Sequence, residues 1–382
     1  MTIYLDYQAT TPLAPEAAAA MRPWLEDKFA NPHSSHRLGR EAAAAVEVAR
    51  GQVISALSIA GDDCAGRLHF TSGATEALNW ALKGTLSLLP PGRRRIVTLA
   101  TEHAATLDAA GWLANLGAEL DILPVGPDGL LDLNLAAQRI TPRTGLVAAM
   151  LVNNEIGVIQ PVEQIAHLAR AQGALFLCDA VQGFGRVPLP LDACDMVAVS
   201  AHKVHGPKGV GALWVREGVT LDPLLHGGGQ EGGVRSGTLS PALCAGFGAA
   251  ADLLVGRREE DRGHVARLWA KALVPLGGDW QLNGSAVHRY HGNLSIRRDG
   301  VDAARLISDL RQVAFSAGSA CASGSGRTSH VLRALSLTDA QARSSIRLGF
   351  GRYTSEEELV EALTFINRAA ERQLSPTLSS FA

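Results

Sequence analysis

The sequence has little of what would mark a secreted, membrane-spanning or nucleic-acid-binding protein. It carries five cysteines in 382 residues, Cys64, Cys178, Cys194, Cys244 and Cys321, an odd and widely spaced set with no C-x-x-C pair. That pattern argues against a disulfide framework and against a zinc site. Neither sign of charge is in excess: 35 Lys and Arg face 37 Asp and Glu, for a net charge of −2. The strong basic excess of a nucleic-acid binder is absent. No apolar run approaches the ~18–20 residues of a membrane span. The N-terminal "MTIYLDYQATTP" has no basic segment leading into an apolar one, so no signal peptide is expected. A cytoplasmic protein, with no membrane and no direct nucleic-acid contact, is the expectation.

Hydrophobic residues make up 47% of the chain, enough for a sizeable core. The length favours one large domain plus a smaller one. Apolar runs of strand length alternate with helix-period stretches: strands at 67–72, 94–100, 118–125, 145–152, 174–180, 195–200 and 210–215, with helices such as Ala74 to Leu89, Ala104 to Leu116 and Pro161 to Gln172 between them. Continuous apolar strands separated by helices predict an α/β fold with a mainly parallel sheet buried on both faces. After about Gly256 the pattern changes to a helix, a few strands and a terminal helix from Ser355, which predicts a smaller α+β domain. The expected division is a large domain over 15–256 and a small one from 1–14 and 257–382. There are no internal repeats, and the alanine-rich "PEAAAAM" and "REAAAAVEVAR" read as ordinary helices.

Cysteines kept for packing want apolar neighbours. Cys178, Cys194 and Cys244 have them, and Cys64 sits in a turn-like "GDDCAG". Cys321 lies in "FSAGSACASGSG", among small polar residues that read as loop.

In a parallel α/β sheet, ligands sit at the carboxyl ends of the strands, where loops lead into helices. Four such loops and one later strand-like run carry chemistry. Lys203, in "SAHKVHGPKG", follows a buried strand and is one of only five lysines; partial desolvation there favours a neutral amine and a Schiff base, although a surface loop lysine fits the same pattern. Asp179, in "FLCDAVQG", suits a protonated pyridine nitrogen, with Gln182 in reach of the same ring; a helix cap is the plainer reading. "FTSGATEA" offers the Ala74 and Thr75 amides and the Thr75 hydroxyl to an anion at a helix N-terminus, or merely caps that helix. His103 could stack on a flat cofactor and move protons. Arg347, in the strand-like "SSIRLGFGR", suits capture of a carboxylate, or forms a structural ion pair. Each signal alone is weak. Together they meet the requirements of pyridoxal 5'-phosphate working on an amino acid.

The same blocks resemble the NifS/IscS-type cysteine desulfurases of the class V aminotransferase group. The likeness runs nearly the whole length, through "YLDYQATTP", "NPHSSHRLG", "FTSGATEA", "TEHAATLD", "LVNNEIGVIQP", "CDAVQGFG", "SAHKVHGPKGVGAL", "GGGQEGGVRSGTLS", "SAGSACASGSG", "SHVLRAL" and "SSIRLGFGR". The resemblance implies the fold type I of pyridoxal-phosphate transferases and conversion of L-cysteine to L-alanine. It implies that Lys203 carries the cofactor, His103 stacks on it, and Asp179 and Gln182 hold the ring. Ala74, Thr75, Ser200 and His202 would hold the phosphate, joined by Thr238 from the partner subunit of a homodimer. Arg347 would bind the substrate carboxylate, with Asn154 near ring and substrate. Cys321, on a mobile loop of the small domain, would take the sulfur as a persulfide and hand it to an acceptor protein, such as an iron–sulfur scaffold or a thiolation protein. No resident metal is implied, and Cys321 would ligate a cluster at most transiently. A selenocysteine lyase or an aminotransferase on the same scaffold, and a non-catalytic cofactor-binding scaffold, are the alternatives.

Three departures from the family pattern stand out. Gly232 replaces an arginine in "GQEGG", which predicts weaker or rearranged dimer contacts. Gly326, Arg327 and Thr328 replace a Leu-Glu-Pro run, which bears on the acceptor. Ala201 replaces a glycine before the lysine, a small change.

Overall fold

The computed structural model describes residues 2–58, 65–318 and 328–375. Cys64, Cys321, Gly326 and Arg327 lie outside the described residues, and so does the loop expected to carry Cys321. In chain order the strands are β1 (Ile3–Tyr4), β2 (Gly66–Thr71), β3 (Arg95–Leu99), β4 (Glu119–Leu123), β5 (Thr144–Met150), β6 (Leu175–Asp179), β7 (Met196–Ser200) and β8 (Gly211–Arg216). There follow β9 (Gln281–Leu282), β10 (Asn293–Arg297), β11 (Val313–Ala314), β12 (Ser316–Ala317) and β13 (Ser345–Gly349).

Seven strands form the central sheet in the order β2-β8-β7-β6-β5-β3-β4. The pairings β3–β4, β3–β5, β5–β6 and β6–β7 are parallel, whereas β8 runs antiparallel to both β2 and β7. All seven expected strands are present, each end within two residues of its expected position. Their two-sided burial follows from strand geometry, in which successive side chains point to opposite faces. On β5, Val147 and Ala149 enter one core and Leu146 and Ala148 the other. Helices cover both faces, including the expected Ala74–Leu88, Ala104–Asn115 and Val162–Ala171.

A separate core gathers Ile3 and Leu5 with apolar residues from Leu268 to Ala370. Its four-stranded sheet has the order β12-β13-β10-β9, and β1 pairs in parallel with β11. The final helix, Glu356–Leu374, begins with a capping box: the Ser355 hydroxyl accepts from the Glu358 amide while the Glu358 carboxylate accepts from the Ser355 amide. Cys178 and Cys244 are buried in β6 and a helix, as the sequence predicts. Cys194 is also buried, but it ends a 3-10 turn just before β7 rather than lying in the strand.

Candidate active site

The loops leaving β2, β3, β5, β6 and β7 converge on a cavity of about 580 Å³. Ala74 and Thr75 open the helix that follows β2, and His103 caps the helix that follows β3. Asn154 follows β5; Asp179 and Ser200 end β6 and β7; Lys203 closes the 3-10 turn Ala201–Lys203. All of these line the cavity, with Gln182, His202 and Arg347. Of the two other expected residues, Thr238 is exposed and does not line it, and Cys321 falls outside the described residues.

Close backbone approach shapes the anion end. A side chain at Gly211, the first residue of β8, would meet the Val199 carbonyl at 2.7 Å and the Gly73 backbone at 2.8 Å. Only glycine lets β8 pack under the Ser72–Gly73 turn, whose helix then presents first-turn amides that have no partner within the helix. Glu76 is held aside by Arg235, which donates to it at 2.7 and 3.0 Å. His202 lies 3.2 Å from the Thr10 hydroxyl. Burial, then the charges of Lys203 and Lys208, bring the His202 pKa down to about 4, so its ring is neutral at pH 7.

The lysine is poised for covalent chemistry. Its Nζ donates to the carbonyls of Gln8 at 2.5 Å and Ala9 at 2.8 Å. Burial, followed by the nearby charges of Arg186 and Arg347, lowers its pKa to about 8. The ammonium form still predominates at pH 7, but the neutral amine, about a tenth of the total, is far more populated than for an ordinary lysine, in the direction a Schiff-base lysine requires.

Asp179 accepts from the Val181 amide at 3.0 Å. Burial raises its pKa, and the Val181 amide, His103 and Lys203 partly oppose the rise. The His103 pKa moves down through burial, against the pull of Asp179. Its Nδ1 accepts from the Ala105 amide at 3.1 Å, so the neutral ring carries its proton on Nε2. Gln182 is gripped from both ends: it donates to the Gln8 carbonyl at 2.9 Å and accepts from Arg186 at 2.7 Å.

Of the two sequence readings of Arg347, the structure shows the ion pair. Arg347 lines the cavity, and it also pairs with Asp6 at 2.7 Å while donating to the Asn154 carbonyl at 3.0 Å. Asp6, Gln8, Ala9 and Arg186 went unassigned at the sequence level. Gln8 and Ala9 act through backbone carbonyls, which side-chain identity does not reveal, and Asp6 meets its partner 341 residues away.

The donor set fits pyridoxal phosphate. A buried carboxyl stands for the ring nitrogen, an amine of lowered pKa for the aldehyde, and an amide-rich helix start for the phosphate. The Asn154 Oδ1 is buried with no partner, an acceptor left open on the cavity wall.

Comparison with known proteins agrees with this chemistry. The family described as aminotransferase class-V matches residues 3–363. The chain is 42% identical over 386 residues to the cysteine desulfurase IscS of Rickettsia bellii (strain OSU 85-389), covering 98% of this chain and 93% of that one. A solved structure titled NifS-like protein superposes with a TM-score of 0.88 at 31% identity, over 97% of this chain and 99% of that one. Another, titled SspA in complex with cysteine, gives 0.80 at 32% identity, over 93% and 100%.

Proposed function

The chain belongs to the class V aminotransferase family, and from that membership we infer that it is a pyridoxal-phosphate-dependent cysteine desulfurase, converting L-cysteine to L-alanine. The observation that carries this reading is the single cavity in which Lys203, His103, Asp179 and Arg347 meet. When bound, pyridoxal phosphate supplies an electron sink that eases removal of the Cα proton of an amino acid.

The residues divide the work as follows. Ala74, Thr75, Ser200 and His202 hold the phosphate, and Thr238 of each subunit reaches the site of its partner in a homodimer. Asp179 holds a positive charge at the ring nitrogen, and Gln182, fixed by Arg186, holds the ring oxygen. Lys203 anchors the cofactor and, with a pKa near 8, carries protons to and from Cα. His103 covers the ring and keeps a proton at Nε2. Arg347 seats the substrate carboxylate, and Asn154 lies near the ring and the substrate.

The Cys321 thiolate attacks the sulfur of bound cysteine. An S–S bond forms as the C–S bond breaks, and the electron pair left on the three-carbon fragment takes a proton to give alanine. The persulfide then passes its outer sulfur to an acceptor protein, such as an iron–sulfur scaffold or a thiolation protein, in the cytoplasm.

The test is to incubate the holoprotein with L-cysteine, identify the amino-acid product and map any added sulfur. Alanine with sulfur on Cys321 is expected. A keto acid would point instead to transamination, and faster turnover of selenocysteine with cysteine as a poor competitor to a selenocysteine lyase. Cys321→Ser is expected to bind cofactor and cysteine normally yet release no sulfide; unchanged sulfide release with reductant present would rule out Cys321 as the nucleophile.

A further inference from the structure

A second cavity, of about 460 Å³, opens on the other side of Lys203, against the helix Arg258–Leu276. Its wall carries five arginines, Arg186, Arg258, Arg262, Arg289 and Arg352, and a single carboxylate, Asp261. That carboxylate is already taken: Arg352 donates to it from Nε at 3.1 Å and from Nη2 at 2.6 Å.

Arg289 is a buried cation and Arg186 a half-buried one, and the described partners of both are neutral. Arg186 bonds the Gln182 amide oxygen at 2.7 Å and the Lys203 carbonyl. Arg289 bonds four backbone carbonyls, those of Asn283, Ser285, Ile156 and Asn293, at 2.9 to 3.4 Å. It is 4% exposed, and its Nε has no partner. Burial alone lowers the Arg289 pKa, to about 10, which still leaves the group charged at pH 7. A buried charge without a counter-charge is costly, and both guanidinium groups border open space. The volume suits a small molecule, and Val187, Pro188, Leu254 and Val265 supply an apolar floor.

We propose that this rear cavity binds a small organic dianion, a dicarboxylate or a phosphate monoester, with the half-buried Arg186 and the buried Arg289 as its counter-charges and Arg258 at its rim. Guanidinium forks match both anion types. The ligand would lie one residue's width from the catalytic lysine, because Arg186 bonds the Lys203 backbone directly. Apart from Lys203, the cavity wall is made of side chains outside the cofactor's cradle, so the site stands or falls apart from the desulfurase reading.

The test is calorimetric titration of the holoprotein, freed of excess pyridoxal phosphate, with succinate and with inorganic phosphate at constant ionic strength, acetate serving as the control. Saturable heat is expected from at least one dianion, and which one responds separates the carboxylate from the phosphate source. Arg186→Gln and Arg258→Gln are each expected to weaken binding about tenfold, the scale of one charge-assisted contact. Arg289→Gln should weaken it at least as much; should that variant fail to fold, the other two carry the test. No saturable heat from either dianion below about 10 mM, where binding free energy falls under ~3 kcal/mol, overturns the proposal. So does binding that is unchanged in Arg186→Gln and Arg258→Gln, which would place the anion elsewhere.

Discussion

The two cavities that meet at Lys203 are alike in size but opposite in charge balance. The front one sets Lys203, Lys208 and Arg347 against Asp179 and Glu76, with Asp6 behind Arg347. The rear one sets five arginines against one aspartate. A balanced wall suits a ligand that brings charges of both signs, as a cofactor joined to an amino acid does. An unbalanced wall stores electrostatic free energy, and it acts at a distance: the Arg186 charge is the largest charge contribution to the lowered Lys203 pKa, after burial. The rear wall therefore helps lower the pKa of the lysine that faces the front cavity.

The comparison can be broken most severely at the shared residue. Lys203→Ala should abolish the visible band of lysine-bound cofactor and lower turnover by roughly 10³-fold or more, the scale of losing a catalytic base. A lysine-bound cofactor reducible by borohydride in that variant would remove Lys203 from its role. A smaller effect is expected at Asp6, a positioning residue that acts through Arg347. Asp6→Asn should raise KM for L-cysteine about tenfold, as one charge-assisted contact is lost, while kcat and the cofactor spectrum stay near wild type. Asp6→Glu should restore part of the affinity; a kcat loss with unchanged KM would refute the positioning role.

The smallest effect sharpens the link between the cavities. Arg186→Gln removes a positive neighbour, so the Lys203 pKa should rise from about 8 toward the ordinary lysine value. The neutral fraction at pH 7 then falls, and recapture of pyridoxal phosphate by the apoprotein slows there. The pH midpoint of that recapture should move upward; a midpoint that stays fixed or falls would show that Arg186 does not tune the lysine.

The same contrast explains what could be read from the sequence. The central sheet was legible because each of its strands is a continuous apolar run, buried on both faces by the helices between. The front cavity was legible because its chemical residues sit just after those strands: Asp179 ends β6, and Lys203 follows β7 by three residues. The rear cavity left no such trace. Arg186, Arg258, Arg289 and Arg352 come from four separate segments, and nothing local tells a buried guanidinium from a solvated one. Asp6 and the Gln8 and Ala9 carbonyls were hidden for a related reason: their partners lie some 190 to 341 residues on, at |i−j| of 195, 194 and 341. Gly232 takes a left-handed φ of 71° beside the buried Glu231, which pairs with Arg50 at 2.8 Å. The left-handed backbone there suits glycine.

The reach of Asp6 and of the Gln8 and Ala9 carbonyls has a consequence for biosynthesis. Residues made within the first ten positions hold Lys203 and Arg347, and β1 finds its partner β11 only after more than 300 residues have been made. On the ribosome, the segment carrying Asp6, Gln8 and Ala9 must wait for 194 to 341 further residues before its partners are made. Contacts of such sequence separation form late and slowly. A nascent chain can assemble its central sheet early, but it cannot finish the cavity around Lys203 until Arg347 has emerged, so competence to hold a reactive aldehyde is withheld until then.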